Sequence, residues 1–253
     1  MPVALVLSPH LDDAAFSCGG TMAVLADAGW RVVMATAFTR TVQPVAGFAL
    51  ACQLDKGLGP EVDYMAVRRA EDRVAGEILG AEVRWLDLPE APHRGYDSAA
   101  ALFGPVLPGD DVWEPLAGLA AALVEELRPA VVLVPQGLGE HVDHRQMIRS
   151  VLHAIPFAAL AFYRDTPYAI RNDRALPHAT VPELAESRVE IEGALPRKVA
   201  AACSYGSQIG FQFGGAAAAE AALRAFAASE GGERFRGAVP FGMAPPRSGA
   251  DGP

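Results

Sequence analysis

The first 135 residues alternate short, largely apolar runs with longer segments of helical periodicity. Apolar strands of this kind are typical of a parallel sheet that helices cover on both faces. The strand-like runs lie at 3–7, 31–38, 82–88 and 130–135, and the helical patterns lie at 14–28, 64–79 and 112–127. The alternation therefore predicts an α/β fold: a Rossmann-like, doubly wound, mostly parallel sheet flanked by helices.

The chain is long enough for one sizeable hydrophobic core. It has 253 residues, of which 51% are hydrophobic, so we expect a single domain over residues 1–242. A flexible C-terminal tail is expected over 243–253, where proline and glycine are frequent. Two connections, 40–63 and 89–111, are long for an α/β domain and are expected to form the walls or lids of a site.

Charge and hydropathy argue against two classes of partner. The net charge is −9 and Lys and Arg form no run, so we expect no nucleic acid. No apolar segment approaches the roughly 20 residues that a bilayer span needs. Cleavage of a signal peptide would remove the motif that starts near His10, so we expect a cytoplasmic protein.

Cys18, Cys52 and Cys203 have no paired spacing and are expected to be reduced and buried.

Two polar motifs follow the runs at 3–7 and 130–135. They are SPHLDD, residues 8–13, and QGLGEHVDHRQM, residues 136–147. Ligands bind beyond the carboxyl ends of parallel strands, so we expect the two motifs to converge. Together they supply three histidines and three aspartates: His10, Asp12, Asp13, His141, Asp143 and His144. Two histidines and one carboxylate make the open zinc site of a hydrolase, and a further carboxylate beside them would be the base.

Spacing alone leaves the individual roles open. The turn into the first helix can bring either Asp12 or Asp13 towards a metal. His141 and His144 lie three residues apart, near one helical turn, so both can face one cavity. The structural alternative for the first motif is a helix N-cap, in which an aspartate accepts hydrogen bonds from free backbone N–H groups.

These motifs resemble those of the PIG-L (LmbE-like) family of zinc-dependent N-acetylglucosamine deacetylases, whose usual forms are HPDD and HPDH. Two further segments are similar to the family's: VRRAEDRVAGEILG (67–80) and KVAAACSYGSQ (198–208). The family's two prolines are replaced here by Leu11 and Val142. The first replacement, with LDLPEAPHRGYD (86–97) and FYRDTPYAIR (162–171), looks more like the branch that includes glycopeptide-antibiotic sugar deacetylases.

The resemblance implies a metal site and a small-molecule substrate. Carried over by position, it makes His10, Asp13 and His144 the zinc ligands. Ferrous iron is an alternative, because the same nitrogen and oxygen ligands accept both metals. The implied substrate is an N-acetylglucosamine-type sugar or conjugate, whose acetamide is hydrolysed.

The resemblance also implies catalytic roles for the remaining motif residues. Asp12 becomes the general base, protonated His141 stabilises the oxyanion, and Asp143 orients an imidazole. Arg68 becomes a substrate-binding residue. Its structural alternative is an exposed i,i+3 ion pair with Glu71 on a helix.

Five other positions are candidates for contact with the substrate. For Tyr163, Asp165 and Tyr168 the sequence favours ordinary packing at a strand end. His93 and Arg94 lie in a long connection from which they could reach a substrate.

Other functions remain open on the same scaffold. The chain could hydrolyse another amide or acyl group, or bind a metal or sugar without turnover. A nucleotide-binding protein is disfavoured, because Gly19-Gly20 does not fit the G-x-G-x-x-G spacing. The sequence also leaves a homo-oligomer open.

Overall fold

A computed structural model describes residues 1–240 and contains a seven-stranded sheet within them. The strand order is β3-β2-β1-β4-β5-β7-β6. The strands are β1 (Val3–Ser8), β2 (Arg31–Phe38), β3 (Ala81–Leu88), β4 (Val131–Pro135), β5 (Leu160–Tyr163), β6 (Glu186–Val189) and β7 (Glu233–Arg236). Strands β1 to β5 are parallel, while β7 pairs antiparallel with β5 and β6. The predicted α/β class is confirmed.

Ten α-helices connect or cover these strands within the described residues. They are α1 (Asp13–Asp27), α2 (Gly47–Leu54), α3 (Tyr64–Leu79), α4 (Ala99–Leu102), α5 (Trp113–Leu127), α6 (Val142–Ala154), α7 (Tyr168–Arg171), α8 (Leu195–Cys203), α9 (Gly206–Phe213) and α10 (Ala216–Glu230). Helix α3 begins after Asp63, whose carboxylate accepts a hydrogen bond from the Ala66 N–H, and ends at Gly80 with a φ of 74°. Both ends follow the usual chemistry of helix caps.

Both faces of the sheet are buried under helices. Along β1, Ala4 and Val6 join the hydrophobic cluster under α1, α3, α8 and α10. The alternate residues Leu5 and Leu7 join a second cluster under α5 and α6. This alternation explains why β1 reads as an unbroken apolar run in the sequence.

The strand order reverses direction at β1. From β1 the chain adds β2 and β3 on one side, and then β4 and β5 on the other. Binding sites of open α/β sheets lie outside the carboxyl ends of the strands at this reversal. Here it places the residues after β1 beside those after β4.

The structure differs from the sequence expectations in its connections and in its second half. The connection 40–63 contains α2, and 89–111 contains α4. Strands β5, β6 and β7 were not predicted, because four residues give too few positions to show a period of two. The predicted end of the domain at 242 and the tail over 243–253 lie outside the described residues.

The cysteines are free, but only Cys18 is buried as expected. Cys52 and Cys203 are half-buried, so the expectation of burial was wrong for these two. Among residues 1–240, no helix combines the length and the apolar character that crossing a membrane requires.

Candidate active site

The two polar motifs meet at one edge of the sheet. β1 ends at Ser8 and α1 begins at Asp13, while β4 ends at Pro135 and α6 begins at Val142. Because β1 and β4 pair directly, the turns that follow them are neighbours. The structure therefore brings together all six residues predicted from the motifs, namely His10, Asp12, Asp13, His141, Asp143 and His144.

Ser8 organises the first turn. Its hydroxyl donates a hydrogen bond to the His10 carbonyl at 2.7 Å and accepts one from the Ala14 N–H at 3.1 Å. Asp12 takes a φ of 154°, which few residues other than glycine adopt, and its side chain makes no capping hydrogen bond to α1. The helix-cap interpretation of Asp12 is therefore wrong, and its carboxylate faces the cavity instead.

Three ligand atoms converge on one point. The Oδ2 atom of Asp13 lies 3.1 Å from His10 Nδ1 and 3.2 Å from His144 Nε2. One ligand atom from each of these residues lies within 4.8 Å of the other two. The His144 nitrogen is buried and has no hydrogen-bond partner within residues 1–240, and an orphaned buried atom of this kind calls for a ligand. Two imidazoles and one carboxylate form a donor set that a divalent metal accepts.

Each of these two histidines is backed by a buried carboxylate. Asp143 Oδ2 lies 2.9 Å from His10 Nε2, and Asp165 Oδ1 lies 2.6 Å from His144 Nδ1. Such carboxylates fix the orientation of histidines that bind metals. Each histidine thus turns its remaining nitrogen towards Asp13.

Asp165 is a further residue of the cluster, and the sequence did not predict its place there. It is completely buried beside His144, so the expectation that it only packs at a strand end was wrong. Tyr168 also lines the cavity, and its ring lies 5.7 Å from that of His144. Tyr163 does pack as expected, since its hydroxyl donates to the Leu7 carbonyl. The one sequence signal for Asp165 is an acidic residue two positions after an apolar run.

Buried negative charge dominates the cluster. Burial lowers the pKa of His10, but the hydrogen bonds and charges of Asp13 and Asp143 outweigh it and raise that pKa well above its usual value. Burial likewise lowers the pKa of His144, and Asp13 and Asp165 raise it to about 9. The carboxylates therefore favour additional positive charge between the two imidazoles, which a proton or a divalent metal can provide. The cluster fits a divalent metal.

A second grouping, His10 with His141 and Asp143, also has the spacing of a metal site. In this grouping the carboxylate is already engaged, because Asp143 accepts from Arg94 at 2.7 Å and from the Ala91 N–H at 3.1 Å. Burial raises the pKa of Asp143, but the charge of Arg94 and the hydrogen bond of His10 hold it well below the usual range. We therefore favour the grouping around Asp13.

Asp12 lies beside the cluster and is buried among charged side chains. It is 4% exposed, and burial raises its pKa to about 7, although the charge of Arg68 opposes the rise. The nearest atoms of the two side chains are 3.7 Å apart. A carboxylate with a pKa near neutrality is suited to accept and return a proton at physiological pH.

Arg68 is buried, and it does not form the exposed pair with Glu71. Its guanidinium donates to Glu90 at 2.5 Å and to the Leu11 carbonyl at 3.1 Å. Glu71 instead accepts two hydrogen bonds from Ser207. The surface-pair alternative is therefore wrong, and Arg68 reaches the cavity wall beside Asp12.

The environment of His141 favours its neutral imidazole form. Burial lowers its pKa to about 3, and the positive charge of His10 adds to the effect. Its Nδ1 atom accepts a hydrogen bond from the Asp143 N–H at 3.2 Å, which leaves the hydrogen on Nε2. The protonated His141 that the resemblance implies is therefore disfavoured in the unliganded protein, because burial and a neighbouring cation oppose a second positive charge.

A cavity of about 460 Å³ opens beside the cluster, a size that suits a small-molecule ligand. Both long connections line it, through residues such as Val42 and Phe48 in one and His93 and Phe103 in the other. Their prediction as site walls is confirmed. Arg94 does not line the cavity, and its guanidinium instead donates to the Asp143 carboxylate that contacts His10.

Comparison with known proteins agrees with this geometry. The model of the family described as PIG-L, GlcNAc-PI de-N-acetylase, matches residues 5–155. The 2'-N-acetylparomamine deacetylase of Streptomyces fradiae is 32% identical over 211 residues, which cover 81% of this chain and 72% of that protein.

Solved structures of deacetylases share the fold. A40926 pseudoaglycone deacetylase superimposes with a TM-score of 0.78 at 27% identity, covering 93% of this chain and 98% of its own. The zinc-inhibited form of teicoplanin deacetylase gives a TM-score of 0.77 at 25% identity, covering 92% and 96%.

Proposed function

The chain belongs to the PIG-L (GlcNAc-PI de-N-acetylase) family, and from this premise we propose that it is a metal-dependent N-deacetylase. Its substrate is an N-acetylglucosamine-type sugar or conjugate, and its products are acetate and a free amine. The observation that carries the proposal is the buried Nε2 atom of His144, which has no hydrogen-bond partner in the described part of the chain and lies 3.2 Å from Asp13, in the cavity that Asp12 also lines.

His10, Asp13 and His144 would hold the metal. When bound, a divalent metal lowers the pKa of water and polarises a carbonyl oxygen. Zn²⁺ and Fe²⁺ both suit this ligand set. Since a related deacetylase has been solved in a zinc-inhibited form, both metals belong in the test.

Asp12 acts as the general base. Its carboxylate removes a proton from the attacking water as the water adds to the acetamide carbon. The same proton is then available to the nitrogen as the carbon–nitrogen bond breaks, so that acetate and the amine leave. Arg68 positions Asp12 through its charge, and its side chain also lines the cavity in which the substrate would lie.

His141 stabilises the oxyanion as a hydrogen-bond donor. Its Nε2 carries the hydrogen because Nδ1 already accepts from the Asp143 backbone N–H. A neutral imidazole stabilises the developing negative charge by donating one hydrogen bond from its Nε2–H. Asp143 serves both histidines, since its N–H orients His141 and its carboxylate orients His10.

The decisive experiment measures metal content and acetate release on the same purified sample. We expect acetate from N-acetylglucosamine conjugates, loss of activity with a chelator, and recovery on addition of Zn²⁺ or Fe²⁺. Asp12→Asn should retain the metal and lose orders of magnitude in turnover, whereas His144→Ala should lose the metal. His153→Ala is the matched control, because His153 lies on α6 near its exposed end.

Three results would contradict parts of the proposal. Turnover at the native rate in Asp12→Asn would exclude that residue as the base, and stoichiometric metal in His144→Ala would exclude the proposed ligands. A retained metal without acetate from any sugar conjugate would instead indicate another acyl substrate or a binding protein.

A further inference from the structure

The cavity continues beyond the catalytic cluster towards helices α2 and α9. We call this part the α2–α9 arm, and its lining includes Phe48, Cys52, Lys56, Tyr64 and Phe211. Phe48 and Cys52 lie one helical turn apart on α2, and Phe211 belongs to α9. The arm is therefore the part of the same cavity that residues other than the motif residues line.

Much of the surface of the arm is apolar and aromatic. Phe211 is 56% exposed, although it is one of the largest apolar side chains of the protein. Its ring lies 4.5 Å from the Lys56 ammonium. A large apolar ring that remains exposed inside a ligand cavity offers a contact surface for an apolar ligand.

Lys56 brings a positive charge to these rings. Its ammonium donates one hydrogen bond, to the Cys52 carbonyl at 3.1 Å, and lies 5.9 Å from the centre of the Tyr64 ring. No carboxylate of residues 1–240 lies within ion-pair distance of it, in contrast to Arg68, which binds Glu90. Burial and the charge of Arg68 lower the pKa of Lys56, as expected for a cation that lacks a compensating anion.

The acidic residues of the arm do not compensate this charge. Glu90 is held by Arg68. Asp63 accepts from Thr41 and caps α3. Asp55 is exposed, so water solvates its carboxylate. Lys56 thus keeps two ammonium hydrogens available for a ligand.

We propose that the α2–α9 arm binds the aglycone of the sugar and selects an apolar aglycone that carries an anionic group. The apolar part covers Phe211, and the anionic group accepts hydrogen bonds from Lys56. This inference rests on the proposed function, because it assumes that the acetamide is held at the metal cluster.

The test separates binding from turnover. Calorimetry on the full-length protein with divalent metal measures the Kd of glucosaminides that already bear a free amine. Four aglycones are compared: methyl, phenyl, 4-carboxyphenyl and 4-(aminomethyl)phenyl. We expect the phenyl compound to bind more tightly than the methyl compound. The 4-carboxyphenyl compound should bind about tenfold more tightly than phenyl, since a hydrogen bond to a charged group is worth about that factor.

Variants assign each preference to a residue. Lys56→Met should abolish the advantage of carboxyphenyl over phenyl and leave that of phenyl over methyl. Phe211→Ala should reduce the advantage of phenyl over methyl. The matched controls are Arg224→Met, which removes an exposed cation on α10, and Phe157→Ala, which removes an exposed ring outside the cavity. Neither control should change the order of affinities.

Acetate release from the four N-acetylated compounds distinguishes the two ways of failing. If acetate is released but the four amines bind with equal affinity, the proposed role of the α2–α9 arm is wrong and the deacetylase proposal is retained. If the amines bind in the expected order but no compound releases acetate, the deacetylase proposal is wrong and the proposed preference of the arm is retained. Tightest binding of the aminomethyl compound, or an unchanged order in Lys56→Met, would overturn the anionic preference.

Discussion

Arg94 carries the positive charge that two buried carboxylates share behind the catalytic cluster. Its guanidinium donates to Asp143 at 2.7 Å and to Asp110 at 3.0 and 3.1 Å. The Arg94 side chain is 9% exposed, and those of Asp143 and Asp110 are 0% and 3% exposed. Arg94→Met keeps an apolar stem of similar length but removes the guanidinium from both carboxylates, so that Asp143 retains its contacts with His10 and the Ala91 N–H.

The cost of this substitution follows from burial. Removing one partner of a buried ion pair costs about 3–5 kcal/mol, because the remaining charge stays in a medium of low polarity. For a chain of this size, each kcal/mol lowers the melting temperature by about 2–4 °C. Arg94→Met is therefore expected to melt about 10 °C below the wild type at pH 7.

The loss should also depend on pH. Arg94 holds the pKa of Asp143 well below its usual range against the effect of burial. A carboxyl with a depressed pKa stabilises the folded state above its unfolded pKa, and this stabilisation is lost as the pH falls through the folded value. The difference between wild type and variant should accordingly be largest at pH 7 and shrink below about pH 4.

Thermal melting followed by circular dichroism measures the effect, with a chelator present so that bound metal does not contribute. Arg84→Met is the control, because its pair with Glu126 is 38% and 53% exposed and such a pair is worth about 0–1 kcal/mol. If Arg94→Met melted within about 2 °C of this control, burial would not be the source of its stability.

Substitutions at three other buried positions test metal binding, pH-dependent stability and packing. Asp165→Asn should weaken metal binding by about 10- to 100-fold in a chelator competition, and an unchanged affinity would exclude its orienting role. Burial raises the pKa of Asp72 to about 6, so its stabilising contribution is full below about pH 4 and is lost as the pH rises through 6. The melting temperature of the wild type relative to Asp72→Asn should therefore fall from pH 4 to pH 7, whereas a constant difference would contradict the shift. A Cβ at Gly20 would lie 2.7 Å from an isoleucine side chain, while one at Gly118 would meet nothing within 4 Å. Gly20→Ala should lose about 1–3 kcal/mol and Gly118→Ala should gain about 0.5–1 kcal/mol, and shifts of the same sign would refute the packing argument.

The strands and the motifs that follow them were predictable because both are encoded locally in the sequence. The four strands β1 to β4 lie within one residue of the predicted runs, since each is long enough to show its apolar pattern. The six motif residues follow directly after two of these strands. The rule that parallel strands align their carboxyl ends was then enough to predict that the motifs converge.

The surroundings of the motif residues were not predictable in this way. Asp165 and Arg94 engage His144 and Asp143 across 21 and 49 residues of chain. Arg68 turns to Glu90, 22 residues away, rather than to a neighbour on its own helix. Contacts of this kind depend on how separate elements pack, which no local pattern encodes.

The sequence by itself therefore determined the sheet, the edge at which a site forms and the residue types that the site contains. Only the tertiary structure decided which carboxylate pairs with each histidine, that burial lowers the pKa of His141, and that the cavity extends to Lys56 and Phe211. The reason is physical. Secondary structure follows from the order of apolar and polar residues along the chain, whereas protonation and pairing follow from burial and from charges brought close in space.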